Sequence, residues 1–129
     1  MTMELITLDF ETFYDADYSL SKMTTEAYTR DDRFEVIGLS VKCGHTNPPM
    51  WYSGPDVGAF LRQFNWEGSA VCCHNTLFDG AILSWVYGIR PKLWLDTLSM
   101  SRPKYAATVG GSLAALAAAL GLGVKGTEV

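Results

Sequence analysis

The apolar run Leu5-Ile6-Thr7-Leu8 ends in two carboxylates one residue apart, Asp9 and Glu11, in a stretch with almost no other charge. Such a run reads as a β-strand from about Glu4 to Phe10, and its period of two puts both acids on the same face. Two negative charges side by side at the end of a buried strand cost folding free energy unless a cation or a donor offsets them. A divalent metal ion is the neutraliser this pattern favours.

The next segments limit the partners this strand can have. A polar segment from Asp15 to Arg33 has room for a short helix near Thr24 to Thr29. Phe34 to Cys43 is rich in β-branched residues and reads as a second strand. The turn cluster Gly44 to Pro49 then joins it to Met50-Trp51-Tyr52 as a hairpin. Val57, Phe60, Leu61 and Phe64 recur at spacings of three and four, which predicts a helix over about Asp56 to Phe64.

Ser69 to His74 is a small, apolar strand that Asn75 breaks. Leu77 to Tyr87 reads as a helix with Phe78, Ile82 and Trp85 on one stripe. Leu93-Trp94-Leu95 makes a brief fifth strand ending at Asp96. Ser112 caps a final helix, Leu113 to Leu120, that Gly121 terminates. A hairpin beside the first strand, followed by strand-helix-strand units, predicts an α/β fold. Its mixed sheet, an antiparallel hairpin plus parallel strands flanked by helices, has the ribonuclease H-like order.

At 129 residues the chain fits a single domain, and nearly half of it is apolar, enough for a core without covalent staples. No run approaches ~18 apolar residues, so no membrane span is expected. The start, Met1-Thr2-Met3-Glu4, lacks a signal-peptide pattern. Three cysteines, two of them adjacent, argue against a disulfide framework and for a reducing, cytoplasmic setting. The net charge of -4 speaks against nucleic-acid binding by bulk electrostatics. It does not exclude a nuclease, because metal ions in an acidic site can meet a phosphate.

Asp79 adds a third acid, just inside the helix that follows the Ser69 to His74 strand. If that strand neighbours the first, Asp79 approaches Asp9. Three carboxylates suit magnesium or manganese, which want oxygen ligands. Two such ions, ~3.5–4 Å apart, can stabilise the attacking and leaving oxygens of a phosphoryl displacement. Asp9 is best placed to bridge them, with Glu11 completing one shell and Asp79 serving the other.

Leu8-Asp9-Phe10-Glu11-Thr12 and His74-Asn75-Thr76-Leu77-Phe78-Asp79 resemble the first and second motifs of the DEDD-type 3′-5′ exonucleases. Tyr18 to Met23, Arg33 to Ile37 and Trp94 to Leu98 extend the likeness to the exonuclease domain that opens bacteriophage family A DNA polymerases. The resemblance covers essentially the whole chain. It implies that Asp9, Glu11 and Asp79 are catalytic metal ligands for two Mg²⁺ or Mn²⁺ ions. Thr12 would then lie beside the terminal nucleotide, and Asn75 would fix the substrate strand or the motif's own turn. The implied partners are the 3′ end of a DNA strand and a polymerase domain in a parent chain, in the host cytoplasm if phage-encoded.

The chain departs from that family in one respect. Family members carry a third motif, a Tyr or His shortly before a fourth carboxylate, whereas after Asp96 this chain has no Asp or His and its only acid is Glu128. Two expectations arise: a domain truncated at its C-terminus before the third motif, which the end at Lys125 to Val129 favours, or a complete but inactive protein. The competing function is a non-catalytic ribonuclease H-like module for nucleic-acid binding or scaffolding.

Plainer readings stand beside these. Asp9 and Glu11 also suit a solvated strand end, and Asp79 the first turn of a helix, where an acid complements the dipole. His74 reads as a structural hydrogen-bonding residue and His45 as a solvated turn residue. Cys72 and Cys73 point to opposite faces of their strand. Asp96 suits a cap for the next helix as well as a supporting role at the site. Arg30 to Arg33 reads as a solvated loop. The four tryptophans are dispersed over the predicted elements, so core packing is the reading for most of them. Ala117, Ala118 and Ala119 leave the last helix thin in apolar bulk, with part of its face lacking a partner.

Overall fold

A computed structural model describes residues 3–124. Met1, Thr2 and the segment 125–129, with Glu128 and the expected truncation point, lie outside the described residues. Strand β1 (Glu4–Thr12) pairs antiparallel with β2 (Val36–Cys43), which pairs antiparallel with β3 (Met50–Ser53). On its other side β1 runs parallel to β4 (Ser69–Cys73), which is parallel to β5 (Leu93–Asp96). The sheet order is β3-β2-β1-β4-β5, the mixed arrangement expected, with β1 at the centre.

Strand β1 outlasts its predicted end by two residues, so Glu11 and Thr12 are still paired, opposite Gly38 and Val36, with a register shift between them. The alternation is clear along it: Ile6, Leu8 and Phe10 are buried, whereas Thr7 and Asp9 are exposed. Ile6, Leu8 and Phe10 join Leu39, Val41 and Val71 in a core. That core is closed by Val57, Phe60 and Leu61 of α2 (Gly54–Leu61) and by Ile82 and Leu83. Burial of large aliphatic side chains contributes ~1.5–3 kcal/mol each, so this face carries most of the stability.

The helix predicted over Leu77 to Tyr87 is two structures. Helix α3 (Thr76–Ala81) passes into a π-helical segment, Ile82–Val86, in which Tyr87 N–H donates to the Ile82 carbonyl. The wider turn changes which residues share a stripe. Leu83 joins Ile82 in the core, and Trp85 is turned out to 53 % exposure beneath the Arg30 guanidinium. Trp51 is also half exposed, whereas Trp66 is buried and Trp94 packs partly buried against the core. The core reading therefore fails for Trp51 and Trp85.

The polar segment before β2 is tied down by aromatics. Tyr18 stacks on Tyr28 of α1 (Thr25–Arg30) at 4.5 Å, and Arg33 sits 4.6 Å over Tyr18. Asp31 holds Arg33 through a fork of 2.9 and 3.0 Å, so the segment is solvated as expected, with Arg30, Asp32 and Arg33 exposed, and at the same time clamps Tyr18. Helix α4 (Thr97–Tyr105) follows β5 directly. Helix α5 (Leu113–Ala119) begins at the Ser112 cap and is followed by Gly121 at φ +67°; it buries only Leu116 and leaves Leu113 and Leu120 exposed. No helix among the described residues is long and apolar enough to cross a membrane.

Candidate active site

Asp9 and Glu11 project from the face of β1 opposite the core. Asp9 stands across from Ser40, and Glu11 across from Gly38. On this face an open cavity of about 720 Å³ is lined by residues that include Thr7, Asp9, Ser40, Lys42, Cys72 and Asn75. Parallel register brings the end of β4 alongside β1, so the β4–α3 turn opens beside Asp9.

That turn depends on two residues. Asn75 takes a left-handed conformation, φ 82°, where Asn is better tolerated than most side chains. Asp96 anchors it: one carboxylate oxygen accepts from Asn75 N–H at 2.9 Å, and the other accepts from Thr76 N–H and hydroxyl, each at 3.0 Å. The same group caps α4 through Leu98 N–H. Burial works to raise its pKa, but the donors of Thr76 and Asn75, with the Leu98 N–H, outweigh it and hold the carboxyl down at about 2. The expected cap is present, and the same carboxylate also holds the Asn75–Thr76 turn. His74 is structural as expected, bonded to the Thr97 hydroxyl at 2.8 Å and the Gly111 carbonyl at 2.7 Å.

The anchored turn presents Asp79 to the end of β1. Asp79 is 2 % exposed, and Oδ1 accepts from Phe10 N–H at 2.9 Å. Burial raises its pKa, opposed by the Phe10 N–H and reinforced by the charges of Asp9 and Glu11, to about 7. Thus the three acids sense one another at one strand end. Among the described residues, however, no three His, Cys, Asp or Glu side chains are gathered into a ready metal cage.

The donor chemistry suits a hard cation all the same. Magnesium keeps several waters and takes one or two carboxylates with substrate phosphates, rather than an all-protein cage. Asp9 and Glu11 share the open face, and Asp79 supplies a buried charge that a cation would stabilise. Thr12 is the last residue of β1. It is buried, and its hydroxyl donates to Tyr28 Oη at 2.8 Å, because Tyr28 itself donates to the Phe13 carbonyl. Asn75 borders the cavity.

A pH dependence follows from Asp79. Its folded pKa lies above the ordinary carboxyl value, so its contribution favours folding below about pH 4 and is lost as pH rises through about 7. In chelator, stability to urea is expected to fall between those limits, and Asp79→Asn should flatten that part of the profile. An unchanged slope in the variant would assign the titration elsewhere.

No protein-family model matches the chain, and no curated protein matches it. Among solved structures, Brucella melitensis NrnC is similar, with a TM-score of 0.66, 14% identity, and coverage of 96% of this chain and 55% of that one. NrnC bound to pGG gives a TM-score of 0.67 at 14% identity, covering 97% of this chain and 56% of that one. The chain therefore spans about half the length of the solved chains it matches. At this identity the likeness bears on fold, and the fold is the mixed α/β, ribonuclease H-like sheet read from the sequence.

Proposed function

We propose that this chain is a single metal-dependent 3′-5′ exonuclease domain that releases mononucleotides from the end of a nucleic-acid strand. The observation that carries the reading is Asp79, buried, bonded to Phe10 N–H and coupled in charge to Asp9 and Glu11 at the open end of β1. Asp9, Glu11 and Asp79 would hold two Mg²⁺ or Mn²⁺ ions. Bound there, such ions supply positive charge to the scissile phosphate and a more acidic water.

The chain's own groups do the rest. Asn75, held by Asp96, borders the cavity that would receive the strand. Thr12 contributes through its place at the end of β1, since its hydroxyl is committed to Tyr28. The similarity to NrnC bound to pGG supports an oligonucleotide ligand. DNA as substrate, and proofreading within a phage polymerase, rest on the sequence resemblance alone.

The test uses 5′-labelled single strands of DNA and RNA in parallel, with magnesium or manganese. Stepwise shortening from the 3′ end is expected, and the faster substrate decides between DNA and RNA. No shortening of either at high protein concentration would overturn the reading. The lack of any Asp or His after Asp96 in this sequence favours one alternative, a non-catalytic nucleic-acid-binding or scaffolding module. Calorimetric titration with manganese separates the two, because that module predicts weak or single-ion binding without cleavage.

A further inference from the structure

Trp51 occupies the same face of the sheet as Asp9 and Glu11. Strand register places it opposite Ser40, which stands opposite Asp9, and cross-strand partners share a face. Its neighbour Tyr52 points the other way, stacked on Phe60 at 3.9 Å on the core side. The indole lies across Gly38, where a Cβ would overlap the Cζ2 and Cη2 atoms of the ring. Gly38 is the partner of Glu11, and such antiparallel partners have Cα atoms about 4.5–5.5 Å apart.

A large aromatic ring thus lies against a backbone cleared of side chain, immediately beside an acid of the candidate site. It is still 50 % exposed. An indole kept half in water forgoes part of the burial that stabilises most tryptophans. The cavity flanks Asp9 on the Lys42 and Cys72 side, and Trp51 flanks the acids on the Gly38 side, so the ring borders the acids but does not line the cavity.

We propose that Trp51 is a base-stacking platform, taking the nucleobase next to the phosphate that metal ions held by Asp9 and Glu11 would receive. This inference rests on the nuclease reading for its ligand. Aromatic rings bind single strands by stacking in a sequence-tolerant way, because every base has a π-face. The interaction needs no cationic surface, which agrees with a chain of net charge -4. Trp51 acts here by binding and orienting the strand, and the chemistry stays with the acids.

Binding is measured by fluorescence anisotropy of a labelled oligothymidylate, with calcium in place of magnesium, beside an abasic strand of equal length. Trp51→Ala is expected to weaken oligothymidylate binding ~5- to 100-fold and Trp51→Phe to retain most of it. The abasic strand should bind weakly to the native chain and be indifferent to both variants. Gly38→Ala, which displaces the ring but keeps the indole, should weaken binding in the same direction. In cleavage assays Trp51→Ala should raise KM with kcat nearly unchanged. Equal binding by the native chain and Trp51→Ala, or equal binding of abasic and base-bearing strands, would overturn the proposal. Base-dependent binding lost in Trp51→Ala, in a chain that cleaves nothing, would overturn the nuclease reading and leave this one standing.

Discussion

Asp9→Asn is expected to reduce release of mononucleotides by at least ~10²-fold, the scale seen when a group that stabilises developing charge is removed. The substitution keeps the shape of the side chain and removes its charge. Because Asp9 is exposed on the open face of β1, opposite Ser40, the change leaves the core untouched. Thermal stability is measured beside activity, so that loss of chemistry is told apart from loss of fold. Loss of activity with stability intact marks a residue kept for function. Product release at the native rate in this variant would remove Asp9 from the site.

Asp96→Ala should have the largest effect on stability, about 2–4 kcal/mol. It strips acceptors from Asn75, Thr76 and Leu98 together, in a half-buried place where unmet donors are costly. For a chain of this size that loss corresponds to a fall of roughly 10 °C in the thermal midpoint. Asp96→Asn keeps one oxygen acceptor and should fall between the native chain and the alanine variant. The pH sign is opposite to that of Asp79. Asp96 is held down at about 2, so its contribution is complete above the ordinary carboxyl value and is lost as pH falls toward 2. Thermal melts from pH 5 to pH 2 should therefore converge for native and variant chains at the acid end. Parallel curves would show that Asp96 holds the turn by shape and not by charge.

Much of the architecture was legible in the sequence because its signals are local. The alternation of β1, the Gly44 to Pro49 turn, the Ser112 cap and the break at Asn75 each depend on a few adjacent residues. The misplacements arose where a distant partner decides. Trp85 fits the stripe of a regular α-helix, but the π-helical segment puts Leu83 into the core instead. Helix α4, with Pro103 inside it and little apolar periodicity, takes its start from the Asp96 cap. Arg30 to Arg33 is the solvated loop expected, but its clamp on Tyr18, fifteen positions before Arg33, has no local signal.

The candidate site divides in the same way. Asp9 and Glu11 are visible as a pair because strand geometry alone puts them on one face. The approach of Asp79 depends on β1 and β4 being parallel neighbours, an inference from element order that the register supports. Two placements near it had no usable signal in the sequence. The place of Trp51 beside Glu11 follows from the pairing of three strands and from the bare Gly38 between them. The inward turn of the Thr12 hydroxyl follows from Tyr28, on a helix the sequence only sketches.

The bond between Asp79 and Phe10 N–H spans 69 positions and joins a helix to the strand end that carries both other acids. Whatever charge occupies the open face is thereby linked to the docking of α3. By reciprocity, a cation that favours the docked helix must be held more tightly when the helix is docked, and by the same factor. If the strand end takes a cation as proposed, its loading and the docking of α3 form one equilibrium, so a substitution elsewhere that frees α3 would weaken the grip on a ligand it never touches.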